Sequence, residues 1–142
     1  INVVSVTRDN KIVLIRQFRH GIEQVTLEIP GGMVDDGELP VVSAGRELLE
    51  ETGYEADELI HIGTVTPNPA ILNNRCHTFL AQNARLVAEP QMDGSEDIQV
   101  DVVEADEIAG LIATGQIDHA LVVAAFYFYG QYQGNACSGS AA

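Results

Sequence analysis

The segment that most constrains the fold is GMVDDGELPVVSAGRELLEETGY, residues 32–54. Pro40 suits the first turn of a helix and Gly53 suits a left-handed stop, so we predict a helix over Pro40–Thr52. The spacing of the apolar and small residues in between is typical of a helix with one face on a core. The residues at this spacing are Val41, Ala44, Gly45, Leu48 and Leu49.

Three glutamates crowd the last turns of this helix. Glu47, Glu50 and Glu51 share one face, while Leu48 and Leu49 are expected to turn towards the core. Like charges at this spacing repel one another, and the negative end of the helix dipole adds to the cost. Stability alone therefore does not explain the glutamates.

Two interpretations of the acidic cluster are open. One is a solvated face whose charge is partly offset by Arg46. The other is a metal site, because clustered carboxylate oxygens are the ligands that Mg²⁺ or Mn²⁺ prefers. Gly31 and Gly32 come shortly before the helix, where we expect backbone angles that other residues resist. A backbone carbonyl from this turn would serve as a further ligand.

The rest of the chain combines short strands and helices. Near the start we predict a hairpin, in which the strands NVVSVT and KIVLIRQF are joined by the turn RDN. A third strand is predicted at QVTLEIP. ELIHIGTV, CHTFLAQN and IQVDVVE are further predicted strands, and ADEIAGLIAT and DHALVVAAFYFYGQY are predicted helices. The pattern favours an α/β fold, a mixed sheet with helices on both faces. We expect one domain over residues 1–133 and a poorly ordered tail over residues 134–142.

Charge and hydrophobicity argue against two classes of partner. Seven basic and twenty-one acidic residues give a net charge of −14, which repels a nucleic-acid backbone. No apolar run reaches the about twenty residues that span a bilayer, and no secretory signal is visible. Cys76 and Cys137 lack metal-site spacing, so we expect reduced thiols in a cytoplasmic protein. Because the sequence begins at Ile1, a missing leader stays an open alternative.

Residues 32–54 resemble the signature of the Nudix hydrolases. That signature is Gly, five residues, Glu, seven residues, Arg, Glu, an aliphatic residue, any residue, Glu, Glu, any residue, Gly and a final apolar position. The corresponding residues here are Gly32, Glu38, Arg46, Glu47, Leu48, Glu50, Glu51, Gly53 and Tyr54, the last more often aliphatic in the family. The resemblance implies a Nudix-type α/β/α sandwich with a mixed β-sheet, in which this helix holds divalent metals over a diphosphate.

The resemblance also implies roles for the individual residues of the motif. Glu47 and Glu51 are expected to be the principal metal ligands, and Glu50 a further ligand or its support. Gly31 stands where a backbone carbonyl joins the metals, Mg²⁺ or Mn²⁺, in related enzymes. Four other positions are expected to shape the loop and helix, with the arginine and the first glutamate as charge partners: Gly32, Glu38, Arg46 and Gly53.

The flanking segments RQFRHG and LEIPGGMVDDGE resemble the subgroup that cleaves ADP-ribose and other nucleoside diphosphate sugars. Pro69 also stands where that subgroup has a proline. Arg16 and Arg19 suit bidentate contacts to phosphate oxygens, or else are solubilising charges at a strand end. Phe18 and His20 are candidates to stack on a base or sugar, although Phe18 is equally suited to the core. These four residues form the predicted substrate-binding set.

The acidic loop MDGSED precedes the last predicted strand, and a glutamate of this loop is the general base in the ADP-ribose-cleaving relatives. Glu96 is the candidate here, with Asp93 or Asp97 as alternatives and a solvated turn as the other interpretation. With Glu50 and Glu51 it completes the predicted catalytic set. Attack of an activated water on one phosphorus would release a nucleoside monophosphate and a sugar phosphate.

Other functions stay open at this point. Enzymes that cleave dinucleoside polyphosphates or nucleoside triphosphates use the same helix, and a nucleotide-sensing module keeps the fold without the activity. The expected partner is a small nucleotide, with no nucleic acid and no membrane. Relatives in the sugar subgroup often pair two subunits through an extra N-terminal segment. Because this chain begins almost at its first core strand, whether and how it forms a homodimer is open.

Overall fold

The computed structural model describes residues 1–91 and 97–139. It contains seven strands and three α-helices in the described part of the chain. In chain order these are β1 (Asn2–Thr7), β2 (Lys11–Arg19), β3 (Gln24–Glu28), α1 (Pro40–Thr52), β4 (Tyr54–Glu55), β5 (Glu58–Val65), β6 (Cys76–Leu86), β7 (Ile98–Glu104), α2 (Ile108–Ala113) and α3 (Ala120–Gly139). A 3₁₀ turn, Ala105–Glu107, leads into α2.

The sheet is mixed, as predicted. β1 pairs antiparallel with β2 and parallel with β6. β2 also pairs antiparallel with β3 and β7, and β6 pairs antiparallel with β4 and β5. The predicted β1–β2 hairpin is present, and Asn10 in its turn has a left-handed φ of 62°. The parallel β1–β6 pair joins the two halves of the sheet.

Each face of the sheet packs against its own helices. Val3 and Val4 are neighbours on β1 and therefore point to opposite faces. Val3 belongs to a buried cluster with Ala44 and Leu48 of α1, whereas Val4 belongs to a larger cluster with residues of α2 and α3 such as Phe126. Helices thus cover both faces, which confirms the predicted α/β/α arrangement.

Helix α1 has the bounds that the sequence predicts, with a proline in its first turn and Gly53 at its end. Gly53 has a φ of 74°, and its N–H donates a hydrogen bond to the Leu49 carbonyl at 2.8 Å. Leu48 is buried, but Leu49 is 38% exposed, so the prediction that both leucines face the core is wrong for Leu49. Successive helical residues are about 100° apart, which turns Leu49 away from the sheet.

Two other differences from the sequence prediction are in the second half of the chain. β6 continues to Leu86, where it pairs with the short strand β4 that the pattern did not indicate. Helix α3 continues to Gly139, beyond Tyr132, where the predicted helix ends. No proline interrupts this stretch, so a helix nucleated by the packing of Val122 and Phe126 can propagate through small residues.

No helix of the described chain is long and apolar enough to cross a bilayer.

The segment after β3 runs beside the first strand. The Val3 N–H donates to the Pro30 carbonyl at 2.8 Å, and the Gly32 N–H donates to the Ile1 carbonyl at 3.1 Å. Residues 30–32 are therefore held at the amino end of β1, next to α1. This backbone strip, which we call the glycine strip, is one wall of the candidate site.

Gly63 provides a test of the packing between β5 and α3. A Cβ at this position would overlap the ring of Phe128. We expect Gly63→Ala to lower the free energy of unfolding by about 1–3 kcal/mol, the usual cost of overpacking. Chemical denaturation would measure the change.

Gly110→Ala is the matched control for this substitution. Gly110 lies in α2 with open space around its Cα, so alanine should be neutral or slightly stabilising there. Equal effects of the two substitutions would contradict the predicted contact between Gly63 and Phe128.

Candidate active site

Two glutamates of α1 lie against the glycine strip. Glu51 is only 4% exposed, and its Oε2 accepts a hydrogen bond from the Gly31 N–H at 2.9 Å. Glu47 lies one turn earlier, with its side chain 15% exposed. Its carboxylate faces Gly32 so closely that a Cβ on Gly32 would be 2.8 Å from Glu47 Oε2. The helix and the strip thus enclose two carboxylates between them.

The glycines of the strip are needed for close approach and not for unusual angles. Among the described glycines, positive φ values occur at Gly37, Gly53 and Gly115. Gly31 and Gly32 do not share this conformation, so the expectation of special backbone angles there is wrong. A Cβ on Gly31 would be 2.5 Å from the Ile1 carbonyl oxygen. Any side chain at either position would push the strip away from β1 or from Glu47.

Arg46 joins the loop to the helix through three carboxylates. Its Nε and Nη2 donate to Glu38 at 3.2 and 3.1 Å, and its Nη1 donates to Glu47 at 2.9 Å and to Glu50 at 3.1 Å. Hydrogen bonds from Arg46 and then from Ser43 lower the pKa of Glu38 to about 2. The hydrogen bond to Glu38 in turn is the main cause that raises the pKa of Arg46. The structure therefore places Glu38 and Arg46 together, as the sequence predicts.

The burial of these side chains argues against a simple solvated acidic face. Glu50 is 47% exposed, but Glu47 and Glu51 are largely withdrawn from water. Withdrawing an ionised carboxylate from water is costly unless a hydrogen bond or a cation compensates. The Gly31 N–H supplies a hydrogen bond to Glu51, and Arg46 supplies a positive charge to Glu47.

The carboxylate oxygens of Glu47, Glu50 and Glu51 are suitable ligands for a hard divalent cation. Glu47 and Glu50 already share one cationic group, the Nη1 of Arg46, and Glu51 reaches the same glycine strip. Carboxylate and carbonyl oxygens are the ligands that Mg²⁺ and Mn²⁺ prefer. In the described chain, no three His, Cys, Asp or Glu side chains converge tightly enough to hold a metal ion as they stand. Side-chain rotation would have to bring the carboxylates together.

A cleft of about 360 Å³ opens beside the glycine strip. Arg19 and Glu28 line it, and Arg19 donates two hydrogen bonds to the Glu28 carboxylate at 2.8 and 2.7 Å. Burial acts to raise the pKa of Glu28, but the hydrogen bonds from Arg19 and Thr26 outweigh it, and the pKa is lowered. The cleft therefore contains an ion pair whose Glu28 carboxylate is buried and whose Arg19 side chain is 42% exposed. Its other polar side chains in the described chain are Asn2, Asn74, Arg75, Cys76 and His119.

A larger cavity, of about 770 Å³, lies at the other end of β1, near Thr7 and Tyr129. No charged side chain lines it among the described residues. Its described lining offers no cationic side chain to a phosphate, so the smaller cleft is the better candidate for an anionic ligand.

The structure divides the predicted substrate-binding residues. Arg16 and Arg19 are three positions apart on β2 and so point to opposite faces of the sheet. Arg19 reaches the cleft, whereas Arg16 pairs with Asp101 of β7 at 2.6 Å. Phe18 is 44% exposed, not core, and meets His20 edge to face with ring centroids 5.1 Å apart. Neither ring is among the described residues that line the cleft.

The polar residues of the site that the sequence analysis did not identify include Glu28, Ser43 and Arg75. The sequence did contain a signal for Glu28, because it is a carboxylate flanked by Leu27 and Ile29 in a predicted strand. Ser43, which donates a hydrogen bond to Glu38, and Arg75, which lines the cleft, had no pattern to reveal them. The proposed base Glu96 and its alternative Asp93 lie outside the described residues. Asp97 is described and exposed, just before β7.

Comparison with known proteins decides the family. The model of the NUDIX domain matches residues 1–126. The chain belongs to the Nudix family. This confirms the resemblance carried by residues 32–54.

Individual relatives show both the likeness and its extent. The chain is 33% identical over 118 residues to an ADP-ribose pyrophosphatase of Bacillus subtilis, covering 82% of this chain and 64% of that protein. It is 34% identical over 131 residues to a methanol dehydrogenase activator of Bacillus methanolicus, covering 89% of this chain and 70% of that protein. This Nudix chain thus spans less than two thirds of its Bacillus subtilis relative.

A solved structure supports the fold. The crystal structure of an ADP compounds hydrolase aligns with a TM-score of 0.85 at 22% identity, covering 94% of this chain and 71% of that chain. This confirms the predicted Nudix-type fold over nearly the whole Nudix chain.

Gly32→Ala should separate stability from activity. The three atoms nearest to the added Cβ all belong to the Glu47 carboxylate and none is a backbone atom, so the side chain can yield at a smaller cost than a backbone contact would impose. Displacing that carboxylate should lower the rate of pyrophosphate-bond hydrolysis by about tenfold or more. Chemical denaturation would measure the stability, and chromatographic analysis of the hydrolysis products would measure the activity.

Gly31→Ala is the matched comparison. Its Cβ would meet backbone atoms of Ile1 and Asn2, so it should destabilise the fold as well. If Gly32→Ala lost as much stability as Gly31→Ala, the contact with Glu47 would be excluded as the reason for Gly32.

The lowered pKa of Glu38 predicts that the free energy of unfolding depends on pH. Because its pKa is lowered from 4.5 to about 2, its stabilising contribution is complete above pH 4.5 and is lost as the pH falls towards 2. The difference in unfolding free energy between the wild type and Glu38→Gln should therefore be largest above pH 4.5 and shrink on acidification. Urea denaturation at a series of pH values would measure it. A difference that stays constant with pH would contradict the ion pair with Arg46.

Proposed function

We propose that this Nudix chain hydrolyses the diphosphate linkage of ADP-ribose or a nucleoside diphosphate sugar with the help of Mg²⁺ or Mn²⁺. The observation that carries the proposal is the pair of largely buried carboxylates, Glu47 and Glu51, held against the glycine strip beside a cleft that contains Arg19. Buried acidic groups next to a basic cleft suit a substrate that is anionic and a cation that joins the two.

The substrate class is supported by relatives and by the sequence. A relative with 33% identity carries the name ADP-ribose pyrophosphatase. The segments RQFRHG and LEIPGGMVDDGE resemble the same subgroup, and Arg19 and Glu28 of the cleft come from these segments. The name of the methanol dehydrogenase activator shows that relatives of similar identity serve other roles. Our proposal is therefore specific about the bond that is cleaved, the diphosphate linkage, and less specific about the group attached to the diphosphate.

In the proposed mechanism, Glu47, Glu50 and Glu51 would hold the divalent cation. When bound, the cation supplies charge neutralisation for the diphosphate and a lowered pKa for a water molecule. The Gly31 N–H orients Glu51, and Arg46 restrains Glu47 and Glu50. The restrained side chains leave less conformational freedom to be lost when substrate binds.

The hydrolytic step needs one base. The water oxygen forms a bond to one phosphorus, the bond from that phosphorus to the bridging oxygen breaks, and a carboxylate accepts the proton of the water. Glu96 remains our candidate for this base, with Asp93 and Asp97 as alternatives. The products are a nucleoside monophosphate and a sugar phosphate.

Glu51→Gln is the sharpest test of the proposal. The amide oxygen can still accept the hydrogen bond from Gly31, so the fold should persist. The negative charge is lost, so turnover should fall by at least about a hundredfold. Residues that only support a metal ligand already cost up to about a hundredfold in activity when they are replaced. Product analysis with ADP-ribose, UDP-glucose, a diadenosine polyphosphate and ATP, each with Mg²⁺, would measure turnover and choose among the substrate classes.

Glu58→Gln provides the control, because Glu58 is an exposed glutamate of β5 away from the cleft. It should leave turnover within about twofold of the wild type, as surface substitutions usually do. Turnover by Glu51→Gln at the control's rate would refute the role of Glu51. Wild-type protein that cleaves none of the four compounds would refute the proposed function.

A further inference from the structure

Arg75 differs from every other basic side chain of this protein. Of the seven lysines and arginines, six form ion pairs with carboxylates: Arg8, Lys11, Arg16, Arg19, Arg46 and Arg85. Arg75 forms none with any residue that the structure describes. With 21 acidic residues available, an unpaired arginine is unexpected on electrostatic grounds.

Arg75 lies where an unpaired positive charge can act on a ligand, at the cleft beside the glycine strip. Arg75 is exposed at the start of β6, and it lines the cleft together with Gly31 and Gly32 of the glycine strip. Among the described side chains that line the cleft, Glu28 is the one carboxylate, and Arg19 neutralises it. Arg75 therefore gives the cleft a positive charge that no described carboxylate of its lining pairs with.

Arg19 is poorly placed to take over the same task. Two of its N–H groups are committed to Glu28, which is almost fully buried. If Arg19 turned to a ligand, it would leave a buried carboxylate without its cation, which is strongly unfavourable. Arg75 can contact a ligand without breaking an ion pair. The comparison favours Arg75 as the cation that meets an incoming anion.

The net charge of the protein makes a cation in the cleft favourable for binding an anion. At −14, the chain repels an anionic substrate at long range, and only local positive charge can reverse this in the cleft. A guanidinium presents two parallel N–H donors that match the non-bridging oxygens of a phosphate.

We infer that Arg75 binds the diphosphate of the substrate. This inference rests on the proposed function and names the residue that recognises the anionic part of the substrate. The guanidinium of Arg75 would contact the charge that the diphosphate already carries in the bound substrate, before any bond breaks. Arg75 therefore contributes to substrate binding and not to the chemical step. Its removal should therefore raise KM or Kd and leave kcat nearly unchanged.

The test compares four proteins: the wild type, Arg75→Gln, Arg75→Lys and Arg8→Gln. Arg8→Gln is the matched control, because it removes the same charge from the β1–β2 turn at the other end of β1, where Arg8 pairs with Asp57. For ADP-ribose with Mg²⁺, Arg75→Gln should raise KM about tenfold or more while kcat stays within about threefold. Arg75→Lys should lie between, since lysine keeps the charge but loses the fork of donors. Arg8→Gln should match the wild type.

A binding measurement separates this inference from the proposed function. Isothermal titration with α,β-methylene ADP and Mg²⁺ reports diphosphate binding without hydrolysis. A Kd raised about tenfold in Arg75→Gln, with Arg8→Gln unchanged, supports the inference even if ADP-ribose is not turned over. Equal changes in both variants would show a long-range effect of net charge and overturn it. An unchanged Kd in Arg75→Gln, or a wild type that does not bind this probe, would overturn it as well.

Discussion

The hydrogen bonds of Arg46 to Glu38, Glu47 and Glu50 are the interaction on which the candidate site depends. Without this guanidinium, the end of α1 would carry closely spaced negative charges that repel one another and the helix dipole. The contact with Glu38 also ties the loop before α1 to the helix itself. One side chain thus makes an acidic helix tolerable and holds the loop and helix in a common frame.

Close backbone approach is the second constraint. The glycine strip lies between β1 and α1, where any side chain would meet the Ile1 carbonyl or the Glu47 carboxylate. This space allows Glu51 to be buried with a backbone N–H as its partner. The cleft then opens directly beside the buried carboxylates, so the arginine proposed to bind an anion and the glutamates proposed to bind a cation lie next to each other. This adjacency is what a metal-dependent reaction at a diphosphate requires.

Local signals in the sequence predicted several elements well. The bounds of α1 agree with the structure because Pro40 and Gly53 act on their own turns. The β1–β2 hairpin and the mixed sheet were also predicted correctly. Predictions that depended on neighbours in space did less well. Leu49 faces away from the core, and α3 extends beyond the expected boundary because helix propagation depends on packing earlier in the helix.

The sequence by itself determined which carboxylates stand together, because residues one turn apart on a helix must share a face. It also determined the family, since the spacing of residues 32–54 carries it. Only the tertiary structure decided which arginines face the cleft. Strand alternation separates Arg16 from Arg19, and the loop before β6 brings Arg75 beside the glycine strip from far along the chain. Such contacts follow from strand pairing across the sheet, which no local pattern encodes.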